Sequence, residues 1–287
     1  MSRKQGRFDE AAERLGRAGV TFTALHDDSG TGQVLHLTGT LAAQQGRYGS
    51  ARTNYSASLE VRERIGDRAA AAAVLSNLGV VAEYSGELDE SQRFHERALA
   101  LRTEIGDRWG IAVSHTNLGM IAILGGRPAD ARRSFEESMR ISVEVGDTWM
   151  VAISHNNLGN ACRGLGDWNG ARSAYAAAAQ AYLPHDDRWA LAFLFEDVAV
   201  LAAVLAQPIA ALELLGAADR CRADVGSPRP DSLTAEMMAP IDDSCEAAGL
   251  EEAARSEARD RGYGWDLDRS GVAVFRVCER TDPGWQR

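Results

Sequence analysis

With 287 residues, 45% of them hydrophobic, the chain can bury a substantial core, yet its formal net charge of -10 lacks the basic footprint that phosphate binding needs. Direct nucleic-acid contact is therefore not expected. The N-terminus has basic residues but no apolar signal segment, and the most apolar stretch (189–206) is interrupted by Glu196-Asp197, so neither secretion nor a membrane span is expected and a cytoplasmic location is.

The first segment predicts a helix over 8–25. Gly6-Arg7-Phe8 aligns with Gly46-Arg47-Tyr48, and Ala11 with Ala51, a step of 40 residues. Helix pairs are then predicted at 30–45 and 48–65, 68–85 and 88–105, 108–125 and 128–145, 148–165 and 168–183, and 187–206 and 209–224. The period is plainest in the middle. Gly106-Asp107-Arg108-Trp109 returns as Gly146-Asp147-Thr148-Trp149, and Asn117-Leu118-Gly119 returns as Asn157-Leu158-Gly159. Asp67, Asp107, Asp147 and Asp187 stand where a carboxylate can cap the orphan N–H groups of each first helix from the second pair onward. Gly46, Gly86, Gly126 and Gly166 supply the left-handed turn between paired helices, and Pro208 takes over that punctuation in the fifth pair.

After Gly226 the pattern decays through the turn or linker 226–232. Two irregular helices, 232–247 with Pro240 interrupting and 250–261, are expected to cap the array. The segment 265–287, with its apolar run Val272 to Val277, receives no assignment. The domain reading is thus a repeat array over 1–226 that begins in mid-repeat, then a degenerate helical cap and tail over 227–287. An apolar face at that first end would be covered by another domain or subunit.

The internal spacing resembles the tetratricopeptide (TPR) pattern. Leu118-Gly119 is followed by Ala131, Phe135 and Ser138; Leu158-Gly159 by Ala171, Tyr175 and Ala178; Leu78-Gly79, more weakly, by Ser91, His95 and Ala98. The usual TPR unit has 34 residues, and the extra residues fall between the aromatic and the next Leu-Gly, lengthening the helices at each junction. The resemblance implies an all-α, right-handed superhelical solenoid of antiparallel helix pairs with a 40-residue period.

The form GDRWGIA…NLG…SFEES…GD, together with 210–218 and the closing segment through Trp265-Asp266-Leu267-Asp268, resembles the C-terminal TPR sensor regions of actinobacterial LuxR-type and SARP-type regulators and of STAND ATPases. In that family the TPR part senses or docks a partner and restrains an ATPase or DNA-binding part. Those parts are not in this sequence: it has no phosphate-binding G-x-x-x-x-G-K-[ST] loop, and Lys4 is the single lysine. An ATPase or DNA-binding domain at the N-terminal end, or a second copy forming a homodimer, is the partner expected for the open end.

The resemblance places groove positions on the first helices at Ser76, Thr116 and Asn156, then Val80, Met120 and Asn160, then Glu83, Ile123 and Arg163. Such rows suit a protein or peptide with apolar anchors. Beside them run Asn77, Asn117 and Asn157. Their amides can pair with a bound backbone or bridge neighbouring helices, and their place off the groove row favours bridging. His115 and His155 fit packing better than ligation, and Trp109, Trp149 and Trp189 fit repeat-junction packing. Ser114-His115 and Ser154-His155 are chain neighbours that do not face each other on a helix, so they form no nucleophile–base pair. Cys162, Cys221, Cys245 and Cys278 lack ligand spacing. No enzyme activity, cofactor or metal is therefore expected. The function read from the sequence is a protein- or peptide-binding sensor or docking scaffold of a bacterial regulator. The alternative is a small-molecule or signal-peptide receptor that switches the curvature of the stack.

Overall fold

The computed structural model describes residues 3–229 and 231–279, and every regular element among them is helical. The chain divides after Ile141 into two compact units. The first contains α1 (Arg3–Ala24), α2 (Asp28–Gln44), α3 (Tyr48–Arg64), α4 (Arg68–Tyr84), α5 (Leu88–Ile105) and α6 (Arg108–Leu124), and α7 (Pro128–Val145) runs across the division. The second holds α8 (Thr148–Gly164), α9 (Trp168–Tyr182), a 3-10 turn (Leu183–His185), α10 (Arg188–Val204), α11 (Pro208–Val225), α12 (Asp231–Ala247), α13 (Glu252–Tyr263) and α14 (Leu267–Glu279).

The bounds of the five pairs differ from the predicted ones by two residues at most. Their punctuation follows local chemistry. The side chains of Asp67, Asp107, Asp147 and Asp187 accept the backbone N–H groups of Ala70, Gly110, Met150 and Ala190 at 2.9–3.1 Å. Asp27 and Asp167 cap α2 and α9 in the same way. Gly126, like the other inter-helix glycines, has a positive φ (67°). The fifth pair departs from expectation. Ala206 itself adopts φ 55°, and Pro208 opens α11 at a position where its missing N–H costs nothing. Two further corrections concern the ends. The first helix begins at Arg3 and passes through Gly6, which therefore makes no turn; and α12 continues through Pro240. The segment that received no assignment forms α14 as far as Glu279, while 280–287 lie outside the described residues.

Within each repeat the Leu-Gly glycine lets an aromatic ring from the second helix touch the first helix's backbone. A Cβ built on Gly159 would stand 2.3 Å from the Tyr175 ring, and one on Gly119 2.3 Å from Phe135. His95 occupies the same place against Gly79 and is fully buried with Ser91 and Ala98, so the weaker copy packs like the others. The core of the first unit gathers Tyr55, Leu59, Val74, Leu75, Leu78 and Val81; that of the second centres on Tyr175, Leu191, Leu194, Phe195, Leu201 and Leu215. In the second unit α12 leans on α10 and α11, α13 on α11, and α14 on α9, α10 and α11. Gly216 and Gly262 permit backbone contact between α11 and α13, because a Cβ on Gly216 would fall 2.0 Å from the Arg259 carbonyl oxygen.

A period in the arginines escaped the sequence reading. Arg62, Arg102 and Arg222 stand at multiples of 40 residues and are all buried. Arg62 reaches Asp67 at 2.9 Å, and Arg102 donates to Ser114 Oγ at 2.7 Å and to the Gly110 carbonyl at 3.1 Å. Arg62 and Arg102 each tie a second helix to the start of the first helix that follows, whereas Arg222 turns back to Glu196 on the first helix of its own pair.

Candidate functional site

In the first unit, α4 carries Ser76, Asn77, Val80 and Glu83, and α6 carries Thr116, Asn117, Met120 and Ile123. The structure separates these residues into two groups. Ser76 is buried at 8% exposure, which corrects its placement on an open surface. Thr116 Oγ1 lies 2.8 Å from Ser138 Oγ on α7. The Asn77 amide donates to His36 Nε2 on α2 at 2.8 Å, and the Asn117 amide approaches His95 Nδ1 on α5 at 3.4 Å. An amide nitrogen only donates, so each histidine nitrogen accepts and the rings are neutral. Burial, with Arg62 close to one ring and Arg102 close to the other, lowers both histidine pKa values, that of His95 to about 4. These asparagines bridge helices.

The second group faces outward. Val80 is exposed, and Glu83, Met120 and Ile123 are half-buried, flanked by exposed Tyr84 and Leu124. Glu83 makes no ion pair or side-chain hydrogen bond among the described residues, and burial raises its pKa. The Tyr84 ring stacks on Tyr48 with centroids 5.3 Å apart.

In the second unit, α8 carries Asn156, Asn157, Asn160 and Arg163. Asn156 and Asn157 are both buried, at 8% and 9% exposure; for Asn156 this corrects its placement on the groove row, and for Asn157 it goes with the place beside that row that favoured a structural role. Asn156 is held inside by an acid that the groove rows did not include. Asp197 on α10 accepts from the Asn156 amide at 2.8 Å and from the Asn160 amide at 3.0 Å on one oxygen, and Arg163 stands 4.0 Å from the other. Asn160 Oδ1 in turn accepts from the Tyr175 hydroxyl at 2.7 Å and from Arg163 at 3.1 Å. Burial raises the Asp197 pKa against the opposing pull of Arg163 and the two amides.

The neighbouring Glu196 is a second buried acid. It accepts from Arg222 at 2.7 Å and from Arg229 at 2.8 Å, and Arg229 continues to Asp219 at 3.0 Å, itself held by Arg259 at 2.7 Å. This chain of charges joins α10, α11, Arg229 in the segment after α11, and α13. Sequence reasoning saw only that Glu196-Asp197 broke an apolar run; that interruption was the signal.

The tryptophans are less packed than expected. Trp109, Trp149 and Trp189 are each about half exposed. Trp149 Nε1 donates to Asp187 at 3.1 Å, and Trp189 meets Phe193 edge-on at 4.8 Å. His115 and His155 are half-buried, and desolvation lowers both pKa values. Burial pushes the thiols of Cys221 and Cys278 up to about 11 and about 12. Among the described residues no His, Cys, Asp and Glu side chains group in a way that could hold a metal ion, and no helix is long and apolar enough to cross a membrane.

The tetratricopeptide-repeat family model matches residues 30–104, 70–142 and 110–183, more than half of the chain. The chain belongs to the tetratricopeptide-repeat family. No curated protein sequence matches it. Among solved structures, this TPR chain resembles BtubC from P. vanneervenii, with 19% identity and a TM-score of 0.63 over 80% of this chain and 95% of that one. It also resembles a signal transduction ATPase with numerous domains (STAND) with a TPR sensor from Pyrococcus horikoshii. There the identity is 15% and the TM-score 0.63, over 96% of this chain and 42% of that one. The TPR chain thus spans less than half of the STAND protein's length. At these identities both likenesses concern the fold.

Proposed function

We propose that this TPR chain is a non-enzymatic scaffold that binds a protein or peptide, serving as the sensor or docking part of a bacterial regulatory system. The observation that carries the reading is the outward face of α4 and α6. Val80, Met120 and Ile123 present apolar surface on successive first helices while the polar residues beside them are engaged internally. Apolar anchors on helices of fixed spacing suit a bound segment with apolar side chains at matching intervals. Asn160 and Arg163 in the second unit offer hydrogen-bonding groups that are still half-exposed. The STAND protein carries its repeats as a sensor, and the same role is proposed here, with an ATPase or DNA-binding part as the element controlled.

The test is selection from a phage-displayed peptide library on the wild type and on Val80→Arg, whose site is exposed enough to accept the new side chain. The wild type should enrich peptides with spaced apolar residues, and Val80→Arg should not. Equal enrichment on both proteins, or none on the wild type, would refute the placement.

A further inference from the structure

Glu83 is the one member of the apolar α4–α6 rows with a formal charge. Its carboxylate is half-buried, yet it has no ion pair and no side-chain hydrogen bond among the described residues. The acids just after it are different: Glu87 and Glu90 are both paired with Arg52. A carboxylate taken partly out of water without a counter-ion is a cost to the folded chain, and a cation brought to it recovers that cost. Next to Glu83 stands the Tyr84 ring, 65% exposed and stacked face to face on Tyr48 with an interplanar angle of 3°. The Tyr84 hydroxyl feels this arrangement: burial raises its pKa first, and the Glu83 charge raises it further. A carboxylate beside a largely exposed aromatic ring attracts a cation by both charge and ring quadrupole.

We propose that Glu83 and the Tyr48–Tyr84 pair form the subsite for a lysine or arginine side chain of a bound peptide, whose apolar neighbours lie on Val80 and Met120. The proposal rests on the peptide-binding reading above and narrows it to a basic-apolar segment. Charge complementarity selects this occupant. An acidic segment would place a second negative charge against an unpaired one, and a purely apolar segment would cover the carboxylate and leave it dry.

The test uses arrays of synthetic 12-residue peptides in which one central position is varied among lysine, arginine, norleucine and glutamate between fixed apolar residues. The full chain is applied as wild type, Glu83→Gln and Val80→Arg, with circular dichroism confirming equal helix content. Wild type should retain the lysine and arginine peptides roughly tenfold better than the norleucine peptide, the scale of one charge-assisted contact. Glu83→Gln should lose that preference yet keep the norleucine peptide, whereas Val80→Arg should lose all of them.

An unchanged basic preference in Glu83→Gln would overturn the subsite. Retention of norleucine and basic peptides alike by the wild type would also overturn it, leaving the apolar docking reading intact. Failure of the wild type to retain any peptide would overturn both. Displacement of bound peptide by free arginine amide at equal concentration would show a small-cation site and overturn the peptide form of the proposal.

Discussion

Replacing His95 with phenylalanine should remove an acid-sensitive contribution to stability. The ring is fully buried against Gly79, its pKa lies near 4 in the folded chain, and the ordinary value is 6.5. Below pH 6.5 the unfolded chain takes up a proton at this site that the folded chain refuses until pH falls to about 4. The unfolded state then binds more protons, so stability falls as pH falls through that window. A lowering of this size corresponds to a loss of about 3 kcal/mol at pH 4 relative to pH 7.

Phe135 fills the equivalent place one repeat later, so the His95→Phe side chain has a local precedent for its shape. His95 Nε2 is also buried without a partner, and its removal relieves a further penalty of about 1 kcal/mol at any pH. Urea denaturation of both proteins from pH 4 to pH 7 measures the difference. His95→Phe also takes away the acceptor of the Asn117 amide, which offsets that relief, so the two proteins should be about equally stable at pH 7, and the advantage of His95→Phe should grow by about 3 kcal/mol toward pH 4. An advantage that stays constant within about 0.5 kcal/mol across that range would refute the assignment of a neutral, desolvated ring.

Three other substitutions test the architecture. Glu196→Ala leaves the buried Arg222 and the Arg229 side chain without their shared acid, and should cost the second unit about 3–5 kcal/mol in urea denaturation; a loss under about 1 kcal/mol would show that the charge network is not what holds the cap. Gly159→Ala drives a methyl group into the Tyr175 ring, which its bond to Asn160 holds in place, and should cost about 1–3 kcal/mol by the same measurement. Full wild-type stability in that variant would mean the ring can move aside. Ala206→Gly should raise the melting temperature of the second unit, because Ala206 holds φ 55° where glycine is at ease; the net gain is about 0.5–1 kcal/mol, and an unchanged or lower melting temperature would count against strain at that turn.

The repeat could be read from the sequence because its causes are local and recur. An Asp caps the helix that follows it, a glycine makes the turn that other residues resist, and Leu-Gly with an aromatic sixteen residues later fixes how two helices meet. The same regularity made helix bounds legible to within two residues for the five pairs. It failed at Ala206, which takes a left-handed φ of 55° without being glycine, and at Pro240, where the helix runs on through a residue that local preference opposes.

The site was legible only as a set of register positions. Register says which residues share a helix face, but not how deep that face lies or who meets it from the next helix. Asn156 and Asn157 occupy the same rows as exposed or half-exposed residues elsewhere, yet they are buried; Asn156 is held inside by Asp197, 41 residues on. Glu196 and Asp197 are chain neighbours, and packing sends one to an arginine network and the other to an amide cluster. Period and composition thus determined the helices, their pairing and the family. Which polar side chains are engaged inside and which, like Glu83, are left unpaired at the surface was decided by contacts between repeats, because burial and hydrogen-bond partnership depend on residues distant in the chain.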